Sequence, residues 1–337
     1  MLNGIDLRAR QALAEQIRED SWEAQLSIGV VAHPTSPDRC RVHTEPMRLG
    51  STRVARAFGI EQRWGSSAGG DCLDPVGSLL VALGASVTDS VVTHLTGEGC
   101  GPALVEVLPC VEFTSDGGPA GLSYEIRIDG DVSVEQARRA VAAARERGSA
   151  HHTLAEPNEI KAVVQTAQDV HLTSRPVPAG AEPGASVRRR AARVMWEVGT
   201  HVLAEVDGTQ AESDQPKQLF GADLAPSAQE YVLTALAAEA LGYTAPDAPG
   251  PGGPTASVHT SGRIDLRGPY SAHDSPAGLR NILVQLLPAD PSGPDPVDAV
   301  RRWLAEGDAL RLVRDAHPIE VGLVLDGVRV DPNPTNA

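Results

Sequence analysis

At 337 residues the chain is long enough for roughly two domains, each with a core of its own. Its apolar share is 41% but its aromatic share only 3%, so Leu, Val and Ala must fill the interior. A formal net charge of −15 with so few aromatics excludes a nucleic-acid footprint, which needs basic and stacking groups.

Residues 1–20, MLNGIDLRARQALAEQIRED, hold acidic side chains and no apolar h-region, so they are no secretory signal. They predict an amphipathic helix with Leu7, Leu13 and Ile17 on neighbouring turns. Strands are predicted over 24–33 and 39–45. A helix follows in LDPVGSLLVALGASVTDSVVTHL (73–95), headed by a proline, apolar on every side through Leu79, Leu80, Val81 and Leu83, and polar from Ser86 onward. The apolar run Leu79–Val87 is under half the length that a bilayer span requires, so no membrane segment and a cytoplasmic protein are expected. The glycines of GEGCGP (97–102) come after a helix and before a strand, the wrong order for a dinucleotide loop. Strands over 102–113 and within 117–128, a helix over 132–148 and a strand over 159–166 complete the first half. His151-His152 face different ways with no third ligand nearby, a weak basis for a metal site.

SRPVPAGAEPGASV (174–187) has the composition of a linker, and Arg188, Arg189, Arg190 and Arg193 after it read as its solvated end or a helix start. Alternation with a DG turn predicts strands over 192–208. A second apolar helix lies in LAPSAQEYVLTALAAEALGY (224–243) and is cut short by the irregular stretch 244–255. Then come GRIDLRG (262–268), DSPAGLRNILVQL (274–286), a helix over 295–307 and a strand over 318–325.

The two halves repeat one order of elements. Asp74-Pro75 precedes Ser86 by twelve residues, as Ser227-Ala228 precedes Glu239. GGPAGLSYEIRI is echoed by DSPAGLRNILVQL, and each is followed by a helix with an Arg-Arg pair (Arg138-Arg139, Arg301-Arg302) and a closing strand. The expected organisation is repeat 1 over 1–173, a linker over 174–190 and repeat 2 over 191–330. The class is α+β, and because neither apolar helix can be covered by one small sheet, each must be sandwiched with the other copy.

LDPVGSLLVALGAS and LAPSAQEYVLTALAAE resemble the central-helix motif of the OsmC/Ohr family, approximately N-P-x-E-x-L-L-x-A-L-x-x-C, and residues 195–231 are similar to that family's strand-turn-helix entry. The resemblance implies an intertwined dimer with central helices enclosed by sheets, here a single-chain pseudo-dimer that is monomeric, with further oligomerisation open. It also implies thiol-dependent reduction of organic hydroperoxides by one cysteine on the central helix and another on a later helix. Those cysteines fall on Ser86 and Glu239, and near Ser149 and Gly307; the carboxylate of the Ohr branch falls on Val76 and Gln229. A serine hydroxyl has no sulfenic-acid chemistry, so the fold carries over without the activity.

Glu239, amid alanines and leucines, stands out: buried, it must be paired or have its pKa raised, as a general acid or base requires. The competing reading is an exposed helix end or an Arg partner. Ser86, Asp89, Ser90 and Thr93 recur at helical spacing as one polar stripe, facing either a cavity between the repeats or solvent. Ser86, Asp89 and His94 diverge too far for a triad and follow no nucleophile elbow. Cys72 stands before the first central helix, as a relocated nucleophile or an inert thiol. Cys40, Cys72, Cys100 and Cys110 show no CxxC or zinc spacing, so reduced thiols and no metal or cofactor are expected. The leading expectation is a non-redox enzyme acting on a small, largely apolar molecule between the repeats, with Glu239, Ser86 and Asp89 catalytic and Ser90, Thr93, Cys72 and Tyr231 binding. Simple binding in the same pocket, or a peroxidase using Cys72, are the alternatives.

Overall fold

Asp74 starts the longest helix by accepting a hydrogen bond from the Gly77 amide at 2.7 Å, with Pro75 supplying the first helical turn. This helix, α2 (Pro75–Gly97), lies in a computed structural model that describes residues 2–64, 70–115, 118–165, 170–173, 186–244, 256–270, 275–288 and 295–333. Before it come α1 (Leu7–Glu19), β1 (Gln25–Ser36), β2 (Arg39–Thr44), β3 (Met47–Leu49), β4 (Thr52–Val54) and β5 (Gly59–Arg63). After it come β6 (Pro102–Thr114), β7 (Pro119–Gly130), α3 (Val134–Arg147), α4 (Ser149–Ala155), β8 (Ile160–Gln165) and β9 (Val170–Thr173). The second half holds β10 (Ser186–Val198), β11 (His201–Val206), β12 (Thr209–Ser213), a 3₁₀ turn at Lys217–Leu219 and α5 (Ala228–Thr244). It closes with β13 (Ser257–Asp265), β14 (Arg280–Leu287), α6 (Pro296–Glu306), α7 (Asp308–Arg314), β15 (Ile319–Leu325) and β16 (Val328–Val330).

The strands form two mixed sheets, and the class is α+β. One runs β4-β3-β1-β13-β14-β8-β9, with β2 also on β1 and β5 on β2; the other runs β12-β11-β10-β6-β7-β15-β16. Each takes strands from both halves of the chain. In the first, β1 pairs antiparallel with β13, Val30 opposite Thr260, and β14 pairs parallel with β8. In the second, β10 pairs antiparallel with β6, Val194 opposite Val107, and β15 pairs parallel with β7. A parallel pair needs a crossover rather than a hairpin, and these two crossovers join one half of the chain to the other.

Between the sheets α2 and α5 pack on each other, α2 against β6 and β10, α5 against β1 and β13. This explains why both helices are apolar all round: Leu79, Leu80, Val81 and Leu83 of α2 and Val232, Leu233, Leu236 and Leu241 of α5 are all buried. Gly84 lets α2 approach β10, since a Cβ there would strike the Val194 side chain. Polar side chains within α2 are accommodated by bonding back to the helix itself: Thr88 donates to the Gly84 carbonyl at 2.8 Å, and Ser90 to that of Ser86 at 3.0 Å.

Three expectations need correction. The helix that begins at Pro75 runs 23 residues and is long and apolar enough to cross a membrane by length and composition, because Thr, Ser and Gly extend the apolar run; 83% of its most apolar window is buried in protein. The arginines after the linker are strand residues of β10, and Arg190 is buried, not solvated. Residues 186–190, assigned to the linker, therefore belong to a sheet; its residues 174–185, and the stretch 245–255, lie outside the described residues.

Candidate functional site

The polar stripe of α2 faces a cavity of about 470 Å³. Ser86, Asp89, Ser90, Thr93 and His94 form one wall, in the i, i+3, i+4, i+7, i+8 order of a single helix face. Leu26, Ile28, Met47 and Ile264 of the first sheet make the apolar floor, and Leu7, Arg10, Gln11 and Ala14 of α1 cover it. The start of α5 adds Ser227 and Gln229, and the α3–α4 junction adds Arg147 and Ser149. Both halves of the chain line it.

Polar groups in this cavity divide into committed and uncommitted ones. Asp89 is committed: its Oδ1 accepts from Arg10 Nη2 at 2.9 Å and from Thr93 Oγ1 at 3.2 Å, and its Oδ2 accepts from Gln215 Nε2 at 3.3 Å. Arg10 also donates to Thr93 Oγ1 at 2.6 Å and lies 5.8 Å from the centre of the Tyr270 ring, so it ties α1 to α2 across the site. Burial holds the Tyr270 hydroxyl up at about 12, so it stays protonated as a donor. Ser86 Oγ accepts from the Ala150 amide at 3.1 Å and lies 3.5 Å from Ser149 Oγ, which accepts in turn from Gln229 Nε2. Gln229 is buried, yet its Oε1 has no partner; nor have Arg10 Nε and Arg147 Nε. His94 lies 3.2 Å from Glu98, but burial lowers its pKa despite that carboxylate.

Glu239 is elsewhere. It is buried and lines neither the cavity of about 470 Å³ nor a second hollow of about 260 Å³. Its Oε1 accepts from the Ala309 amide at 2.7 Å, and its Oε2 accepts from the Leu310 amide and from Trp303 Nε1, each at 2.9 Å. Burial pushes its pKa up to about 7, although three N–H donors work in the opposite direction. The pocket expected at Glu239 is therefore not the cavity of about 470 Å³, and its burial and N–H donors correct both rival readings, an exposed helix end and an Arg partner. Helix α7 has seven residues and only Gly307 at its start, with no side-chain cap of its own, and Glu239 supplies the missing acceptors. Ser86 does the same for α4, also seven residues long and begun by Gly148. Ser86 of α2 and Glu239 of α5 thus perform one structural task, with different side chains.

Cys72 and Tyr231 also leave the main cavity. Both line a shallower hollow of about 260 Å³ beside β5 and β12. The Tyr231 hydroxyl donates to the Glu212 carbonyl at 2.8 Å, and burial raises its pKa. Cys72 is buried and its thiol is raised above its ordinary value, burial being the main cause. The start of α2 gives this thiol no help, because Asp74 caps it. All four cysteines are free, and burial pushes Cys40 up to about 12. Among the described residues no cluster of His, Cys, Asp or Glu can hold a metal, and His151 bonds to the Tyr124 hydroxyl at 3.2 Å instead.

Sequence reading missed Arg10, Arg147 and Tyr270, and named Gln229 only as the position of the Ohr-branch carboxylate. Arg10, Arg147 and Tyr270 reach the cavity through topology alone.

A thiol held protonated reacts slowly with peroxide. Consumption of tert-butyl hydroperoxide with dithiothreitol, followed spectrophotometrically, should match dithiothreitol alone for both wild type and Cys72→Ser. Turnover lost in Cys72→Ser would make this thiol a peroxidatic one.

No protein-family model matches the chain, and no curated protein is detectably similar to it.

Proposed function

We propose that the chain is a single-chain pseudo-dimer of two tandem OsmC/Ohr-like repeats, that it carries no thiol peroxidase chemistry, and that it binds one small, largely apolar molecule in the cavity beside Ser86. Support for the pseudo-dimer comes from the sheets, each joining a β-hairpin of one half to strands of the other, and from the shared order of elements in the two halves. The observation that carries the binding reading is the cavity itself: about 470 Å³, floored by apolar side chains, opening at the position where the family would hold its first cysteine. Binding is favoured over acid/base catalysis because Asp89 is held by three donors and the carboxyl with the raised pKa lies outside the cavity. Four buried free cysteines fit a reducing, cytoplasmic setting.

A neutral apolar dye tests this. N-phenyl-1-naphthylamine should bind one per chain with a rise in fluorescence. Ala14→Trp, which places an indole in the cavity from α1, should weaken binding tenfold or more, about 1.4 kcal/mol, with an unchanged circular dichroism spectrum. Dye binding that is absent in wild type, or unaltered in Ala14→Trp, overturns the reading.

A further inference from the structure

The cavity carries a charge that its surroundings do not balance. Although acidic residues outnumber basic ones by 44 to 29 in the chain, the lining holds two guanidinium groups, Arg10 and Arg147, against one carboxylate, Asp89. Asp89 is spent on Arg10. Arg147, the last residue of α3, has no hydrogen bond or ion pair with any described residue, and its Nε is shielded from solvent without a partner. Glu98, which follows α2 just beyond the cavity wall, is occupied by Arg139 at 2.6 Å and by His94 at 3.2 Å.

Donors beside Arg147 are uncommitted as well. Two residues on, Ser149 Oγ accepts from Gln229, so its own hydrogen is free apart from the long 3.5 Å approach to Ser86. An unpaired guanidinium and a free hydroxyl at one end of an apolar space are complementary to a single anionic group on an apolar body. A cationic ligand would meet Arg147 with no free carboxylate to receive it. A neutral one would leave the guanidinium unpaired when water is displaced.

We propose that the ligand of this cavity is an amphiphile bearing one carboxylate, whose carboxylate pairs with Arg147 and Ser149 while its apolar part lies over Leu26, Ile28 and Ile264. This rests on the binding reading above and names the ligand class within it. An aliphatic carboxylate is more strongly hydrated than the matching alcohol, so an apolar cavity without a committed cation would prefer the alcohol.

Displacement of bound N-phenyl-1-naphthylamine by octanoate, octan-1-ol and octylammonium at neutral pH tests the proposal. Octanoate should displace the dye at about one-tenth of the octanol concentration or less, as expected of a charge-assisted pair in a shielded site. Octylammonium should be the weakest. In Arg147→Met the preference for octanoate over octanol should disappear or reverse, and in Arg147→Lys it should be largely restored. Octanol matching or beating octanoate on wild type overturns the proposal while leaving the binding reading in place. So does an undiminished preference in a folded Arg147→Met protein. Failure of the dye itself to bind wild type overturns both.

Discussion

Replacement of Arg56 by methionine should destabilise the protein by about 3–5 kcal/mol, the range for breaking a buried ion pair from one side. Arg56 has no exposed side-chain surface and its partner Glu230 is 1% exposed. The guanidinium donates through Nε to Glu230 Oε1 at 3.0 Å and through Nη2 to Oε2 at 2.7 Å, a bidentate fork, and Nη2 also reaches the Ala225 carbonyl at 3.1 Å. Its Nη1 binds Asp223, and its plane lies over the Phe58 ring at 4.8 Å. Without Arg56, Glu230 keeps only the Ser227 amide at 2.6 Å and the Ser227 hydroxyl at 2.9 Å, and a buried carboxylate is left without a counter-charge.

The same variant tests how the halves are joined. Arg56 follows β4 in the first half, while Glu230 opens α5 in the second. The reciprocal pair joins Arg190 of β10 to Asp74, the cap of α2, at 2.7 Å. Each central helix is therefore pinned at its first turn by an arginine from the other half. Denaturant titration should show Arg56→Met lowering the midpoint of a single transition. A double replacement, Arg56→Met with Glu230→Gln, should recover much of the loss, since the fully buried charge is gone and Asp223, 21% exposed, reaches water. Breaking the exposed pair Arg41–Glu61, with side chains 52% and 44% exposed, should cost under about 1 kcal/mol. Equal costs for the buried and exposed pairs would contradict this account.

These features differ in how far sequence reveals them. The order of strands and helices was legible because alternating apolar residues mark the long strands, and helices apolar on every side demand cover on every side. Exchange of strands between the halves followed from that demand. Short elements escaped: β3, β4 and β16 have three residues each, too few for a period to show. Helices α4 and α7 escaped because their starts are capped from the central helices rather than by neighbours in sequence. Within the site, the α2 stripe was legible because one helix face has a fixed spacing. Arg10, Arg147 and Tyr270 come from three further elements, and nothing local marks them as neighbours. Glu239 was legible as an anomaly but not in its role, because its partner Trp303 stands 64 residues further on.

Glu239 should make the stability of the protein fall as pH rises toward neutrality. Its carboxyl titrates at about 7 in the folded chain against an ordinary value of 4.5, because burial disfavours the charge more than three N–H donors favour it. An acid whose pKa is raised by folding contributes stability that is complete below about pH 4.5 and is lost as pH climbs through about 7. A gap of this size corresponds to about 3 kcal/mol in all. Glutamine mimics the protonated form: it retains one acceptor oxygen and the shape but cannot titrate. The Glu239→Gln protein should therefore equal or trail wild type near pH 5 and gain on it by about 3 kcal/mol near pH 8. Glu239→Ala should be worse at every pH. It strands the Ala309 and Leu310 amides and the Trp303 indole N–H in a buried space at the start of α7, a loss of about 3–5 kcal/mol from unmet donors and an unfilled cavity. Denaturant midpoints across pH 5 to 8 measure all three proteins. Parallel pH curves for wild type and Glu239→Gln would mean that Glu239 does not titrate in this window. A Glu239→Ala protein as stable as wild type would mean that its carboxylate does not cap α7.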